Sequence, residues 1–111
     1  FRKTWAEFFE DYDVLLCPSA FVTAFPHDQS PDQNARILTC NGEERPYFDV
    51  LFYAGLTLNA YLPATAVPVG TSSEGLPIGM QIAGNFLDDK TTLAVAKILE
   101  ANFRGFEAPD L

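Results

Sequence analysis

The stretch Ala66-Val67-Pro68-Val69-Gly70-Thr71-Ser72-Ser73-Glu74-Gly75-Leu76-Pro77-Ile78-Gly79-Met80-Gln81-Ile82-Ala83-Gly84 decides the fold. Its apolar ends read as strands over 66–70 and 78–84, and Thr71 to Gly75 has the composition of a turn. Pro68 lacks a ladder donor, which places the first strand at a sheet edge or at a bulge. Asp88 and Asp89 follow, where acidic side chains complement a helix N-terminus. Thr92, Val95, Ala96, Leu99 and Phe103 then recur at helical spacing, the stripe of a helix that faces a core. Lys97 and Arg104 lie toward its C-terminus, and Gly105 is expected to close it as the C′ residue.

Working outward toward the N-terminus, Thr4 with Glu7 has the spacing of a capping box, and Trp5, Phe8, Phe9 and Tyr12 fall on a helical face. Val14-Leu15-Leu16-Cys17, stopped by Pro18, reads as a strand buried on both faces. The stretch 19–46 is polar and carries Pro26, Pro31 and Pro46. Within it only Arg36 to Cys40 has strand character, and Asn41-Gly42 signals a type I′ turn, so a long surface loop with a short hairpin is expected. Such a loop is functional or a solvated insertion, and the residues leave both open. Pro46 opens a helix over 47–61 in which only Asp49 is charged. Apolar on most of its circumference, that helix is expected inside a larger body or against a pocket. Pro63 ends it. The whole order implies an α/β fold with a mixed sheet and flanking helices.

The chain has 111 residues, 48% hydrophobic and 20% charged, which excludes disorder and allows one domain at most. Seven Lys and Arg against fifteen Asp and Glu give a net charge of −8. A field of that sign repels phosphate, so neither nucleic acid nor an anionic membrane is an expected partner. No apolar run reaches the roughly 18 residues of a membrane span. Cys17 and Cys40 fit no metal spacing and read as reduced thiols in a cytoplasmic setting. The chain opens on Phe1 already in a helical pattern, which reads as a piece of something longer.

Candidate chemistry is sparse. His27 beside Asp28 invites a base-and-orienter reading, but neighbours on an extended chain point apart, and a local loop role is favoured. Gly70 to Gly75 looks superficially like an anion-binding loop, yet it lies between two apolar strands and contains Glu74. Cys17 reads as a small core hydrophobe. The acidic pairs Glu43-Glu44 and Asp11/Asp13 read as solvated turns, and no phosphate-binding, CxxC or HExxH motif is present. On residues alone this is a folded α/β piece without an assembled active site.

Asn59-Ala60-Tyr61-Leu62-Pro63-Ala64-Thr65-Ala66-Val67-Pro68-Val69-Gly70 and Gly75-Leu76-Pro77-Ile78-Gly79-Met80-Gln81-Ile82-Ala83-Gly84 resemble the C-terminal region of the amidase signature family. There the corresponding patterns are N-x-x-G-L-P-A-x-x-V-P-x-G and G-L-P-[VI]-G-x-Q-[IL]-x-G. Asp13-Val14-Leu15-Leu16-Cys17-Pro18, Phe25-Pro26-His27-Asp28 and Arg104 to Pro109 add to the resemblance, which runs over nearly the whole chain in order. One departure is Tyr61, where a Gly often stands.

The resemblance implies the C-terminal piece of an α/β/α fold and a single partial domain over 1–111. It also implies a parent that hydrolyses carboxylic amides through a Ser–Ser–Lys triad lying upstream. Lys3, Lys90 and Lys97 have no matching Gly/Ser-rich partner, so no catalytic residue, metal or cofactor is expected in this chain. The helix over 47–61 would help wall the pocket, with Phe52, Leu56 and Asn59 on the facing side, although core packing accounts for each of them equally well. A small-molecule amide is then the substrate of the full-length enzyme, and the isolated chain is inert and self-associates. The rival readings are a free-standing α/β binding or interaction module, and a small enzyme using His27 and Asp28.

Overall fold

The computed structural model describes residues 1–108. Pro109 and the end of the expected domain therefore lie outside the described residues. Among the described residues three α-helices, α1 (Arg2–Phe8), α2 (Phe52–Leu58) and α3 (Asp89–Asn102), accompany five strands. These are β1 (Leu15–Pro18), β2 (Ile37–Cys40), β3 (Glu43–Pro46), β4 (Ala64–Thr71) and β5 (Pro77–Ala83). Strands β1, β5 and β4 form one sheet in that order, and β2 with β3 forms a separate hairpin. All these ladders run antiparallel, so the parallel pairings of a mixed sheet would have to come from other strands.

The register explains how helices come to lie on both sides of the sheet. Cys17, Gln81 and Ala66 stand abreast on one face, and Leu16, Ile82 and Thr65 on the other. Gln81 reaches the backbone of Tyr53 in α2, while the Thr65 hydroxyl donates to the Thr92 hydroxyl of α3 at 2.9 Å. Helix α2 therefore lies over the first face and α3 over the second, which gives three layers. Ile82 and Ala83 are 0% exposed at the centre. Thr92 in turn donates to the Asp89 carbonyl oxygen at 2.9 Å, so its buried hydroxyl is satisfied. Gly84 allows this approach, because a Cβ there would stand 2.8 Å from Thr92 Cγ2.

Several expectations shift at element ends. Thr4 lies within α1 rather than capping it; the cap is Phe1, with no side-chain bond. The predicted helix over 47–61 is a 3-10 segment, Tyr47–Leu51, followed by the seven residues of α2. Phe103 lies beyond the last turn of α3 and is 81% exposed, and Gly105 is not left-handed. Strand β1 is not buried on both faces within this chain, since Leu16 is 47% exposed. By contrast, β4 is an edge strand whose register slips between Pro68 and Gly70, where the missing proline donor makes a bulge tolerable. Asn41 and Gly42 both take positive φ (52° and 82°), the backbone of the predicted type I′ turn.

Tyr61 explains the departure from the Gly of the resembling motif. The Leu62 N–H donates to the Thr57 carbonyl at 3.0 Å and the Tyr61 N–H to that of Leu58 at 3.2 Å. This pair of bonds is a Schellman closure, and it needs a left-handed residue at Tyr61, whose φ is 56°. The turn geometry is kept, at the cost of a side chain in a region suited to glycine.

The core is thin for the size of the body. The radius of gyration is 16.0 Å, where a self-contained domain of this length has roughly 13 Å. The accessible surface is 8250 Å² against roughly 6,100 Å² for a compact monomer. Leu51, Phe52, Leu58, Leu93 and Ile98 are among the exposed large side chains. Tyr61→Gly is expected to stabilise the chain by no more than about 0.5 kcal/mol, since relief of the left-handed strain is offset by the added freedom of the unfolded chain and by loss of the ring's contact with Arg2. Urea unfolding checks it, with Tyr61→Ala, which keeps the strain, expected to give no gain.

Candidate functional site

A seven-residue helix presents about two turns of side chains, and its length decides what Phe52, Leu56 and Asn59 can share. The structure brings all three to one groove of about 590 Å³ between α2 and α1. Trp5 and Thr4 contribute from α1 and Phe1 from its cap, and Leu51 and Gly55 complete the lining. Phe52 and Asn59 are exposed and Leu56 is half-buried. Helix α1 holds its side of the groove with stacked rings: Trp5 meets Phe8 edge-on at 5.6 Å, and Phe8 stacks on Tyr12 at 4.7 Å. No side chain lining this groove is acidic or basic, so it can receive an apolar group and offer the Asn59 amide, while the Thr4 hydroxyl has no side-chain base in the lining to activate it.

Phe52 also borders a second hollow of about 430 Å³, with Phe21, Cys40, Arg45, Asp49 and Tyr53. The polar stretch 19–46 therefore folds back beside α2. Cys40 Sγ donates to the Phe21 carbonyl at 3.5 Å, which ties the hairpin to the loop. Arg36 organises the rest: its Nη2 donates to the Ser30 carbonyl at 2.6 Å and its guanidinium lies 5.7 Å from the Tyr47 ring centre.

The other candidates resolve into local structure. Asp28 Oδ1 accepts from the Ser30 N–H at 2.8 Å and from the Ser30 hydroxyl at 2.6 Å, and Arg36 Nε stands 4.0 Å away. These Ser30 bonds, aided by Arg36, hold the carboxyl below its ordinary value. Asp28 thus builds a turn instead of orienting the exposed His27. Ser72 Oγ accepts from the N–H groups of Glu74 and Leu76 at 3.2 and 3.1 Å, which makes it the acceptor of its own turn. Lys3, Lys90 and Lys97 are exposed. Among the described residues no three His, Cys, Asp or Glu side chains gather as metal ligands, and no helix is long and apolar enough to cross a membrane.

Gln81 was missed in the sequence as more than part of a motif. It is 8% exposed, and its Nε2 donates to the Tyr53 carbonyl at 2.8 Å and to Cys17 Sγ at 3.2 Å. The available signal was an amide in the middle of an otherwise apolar strand. Cys17, read as a small hydrophobe, is the half-buried acceptor of that bond.

The chain is similar to known proteins in sequence and in fold. A family model described as Amidase matches residues 1–93. The chain is 37% identical over 101 residues to the A subunit of the glutamyl-tRNA(Gln) amidotransferase of Wolbachia sp. subsp. Drosophila simulans (strain wRi), covering 91% of this chain and 18% of that protein. The crystal structure of the same-named protein from Thermotoga maritima superposes with a TM-score of 0.74 at 27% identity, over 92% of this chain and 20% of that one. A chain from a vestigial protein complex described as revealing the origins of an s-triazine catabolic enzyme shares the fold. Its TM-score is 0.79 at 21% identity, over 96% of this chain and 23% of that one. The chain thus spans about a fifth of the length of the curated relatives it matches.

Because Asp28 is held ionised by its bonds, the order it lends the loop is complete above the ordinary carboxyl value of 3.8 and is lost as pH falls through its lower folded value. Carbon-13 titration of the Asp28 carboxyl is expected to give a midpoint below 3.8, and Ser30→Ala, which removes the leading bond, to raise it.

Proposed function

Since the chain belongs to the Amidase family, we propose that it is the C-terminal part of an enzyme that cleaves carboxylic amides by acyl transfer. The observation that carries this reading is a mainly apolar groove on α2 whose lining side chains include no acid or base, inside a chain that matches an amidase over most of its length. Such a surface fits the wall of a site whose reacting groups stand on other elements. On this reading the Ser–Ser–Lys machinery lies upstream of the chain, and no cofactor is required. Phe52 and Leu56 face the acyl or leaving-group side of a small-molecule amide, with Asn59 beside them. The relatives are named as the A subunit of an amidotransferase, which extends the proposal to a parent that acts beside partner subunits in the cytoplasm. Acyl transfer to water and transfer of the released nitrogen to an acceptor are then two uses of the same cleavage.

The excess surface and thin core support a partial domain that the remainder of an enzyme would complete. Strands β1 and β4 both lie at edges of the sheet, and α2 and α3 carry exposed Leu58, Leu93 and Ile98. The isolated chain is therefore expected to self-associate. Sedimentation showing a monodisperse monomer at high protein concentration would count against that.

Amide hydrolysis assayed on the isolated chain is expected to show no turnover, and measurable turnover would contradict the reading. In the full-length enzyme, Phe52→Ala is expected to change the relative kcat/KM of amides differing in acyl size by about 10-fold or more, the worth of one well-filled apolar contact. A loss of stability with an unchanged substrate profile would return Phe52 to a core role.

A further inference from the structure

Helix α2 is short, and a seven-residue segment draws little stability from its own hydrogen bonds. Thr57 is its one buried residue, so burial does little to fix it on the sheet. Its C-terminal end is held by the Tyr61 closure and by the Gly84 N–H, which donates to the Pro63 carbonyl at 3.0 Å just beyond it. Its N-terminal end is held by Gln81, whose Nε2 donates to the carbonyl of Tyr53, the residue adjoining Phe52.

We infer that Gln81 is a positioning residue for the substrate pocket, gripping the first turn of α2 so that the Phe52 side chain stands at a fixed height above the sheet. This rests on the proposed reading of α2 as a pocket wall. A side-chain amide suits the task because its one nitrogen carries two N–H groups, here directed to Tyr53 and Cys17 in different elements. The strand side is rigid, since Gln81 lies on the central β5 paired with β1 and β4. Burial raises the penalty for leaving the amide or its acceptors unpaired, so the helix is drawn to one position. An apolar residue of equal size would fill the space and leave α2 free to slide.

The test uses the full-length enzyme with acetamide, butyramide and hexanamide, read by ammonia release. Gln81→Met conserves volume and removes the donors, and Gln81→Leu serves as a second shape. Both are expected to raise KM for hexanamide by about fivefold or more while kcat stays within about twofold, with acetamide little changed. Cys17→Ala, which leaves the Tyr53 bond intact, is expected to shift the series clearly less than the Gln81 variants. A fall in melting temperature with unaltered KM for all three amides would overturn the inference, as would an equal KM rise from Cys17→Ala. If Phe52→Ala shifts the profile and the Gln81 variants do not, this inference alone falls. If Phe52→Ala leaves the profile unchanged, the pocket-wall reading falls, whatever the Gln81 variants do.

Discussion

Burial of Gln81-Ile82-Ala83-Gly84 between two helices is the constraint on which the other elements depend. Each residue of this run meets a different demand set by its direction. Ile82 and Ala83 vanish from solvent on opposite faces, Gln81 bonds the helix on its own side, and Gly84 leaves room for Thr92 on the other. A one-residue slip of β5 would exchange these directions and turn the amide toward α3. The bond to α2 and the clearance that Gly84 leaves for Thr92 would be lost together. The central strand therefore sets the register of its neighbours and the height of both helices.

The candidate site follows from that arrangement at one remove. Helix α2 carries the apolar groove, but the features that place it lie at its ends: an amide from β5 and a left-handed tyrosine before β4. The strain at Tyr61 keeps a Schellman closure in a position where glycine would form it more easily. Its ring also lies 5.4 Å from the Arg2 guanidinium, which stands 4.3 Å from the Phe86 ring centre. This joins α1, the turn after α2 and the turn before α3 through one cation. The side chain that strains the backbone is thus part of a contact that glycine could not make.

Periodicity made the central features legible, and it failed where the outcome depended on neighbours. The polar turn, the edge strand with its proline bulge, the type I′ turn and the α3 stripe were all readable, because each is decided by a few adjacent residues. The expected helix over 47–61 was too long at both ends. Its apolar composition shows no helical boundary, and the 3-10 segment and left-handed closure are local choices. The expected double burial of β1 assumed a complete sheet, whereas α3 packs on β4 and β5 and leaves Leu16 of the outer strand partly exposed in this chain. For His27 and Asp28 the favoured local loop role agrees with the bonds of Asp28 to Ser30, two residues on, and only the approach of Arg36 lay beyond local reading.

By itself, the sequence determined the α/β class, the hairpin of β4 and β5, and the family resemblance, since these rest on local turn chemistry and on motifs in order. The lack of a phosphate-binding, CxxC or HExxH pattern was readable in the same way, since each of these is a local spacing. Only the tertiary structure decided that Phe52, Leu56 and Asn59 share a groove with α1, and that Gln81 grips α2. Both depend on contacts between residues far apart in the chain, and such contacts exist only once the sheet has set their distance.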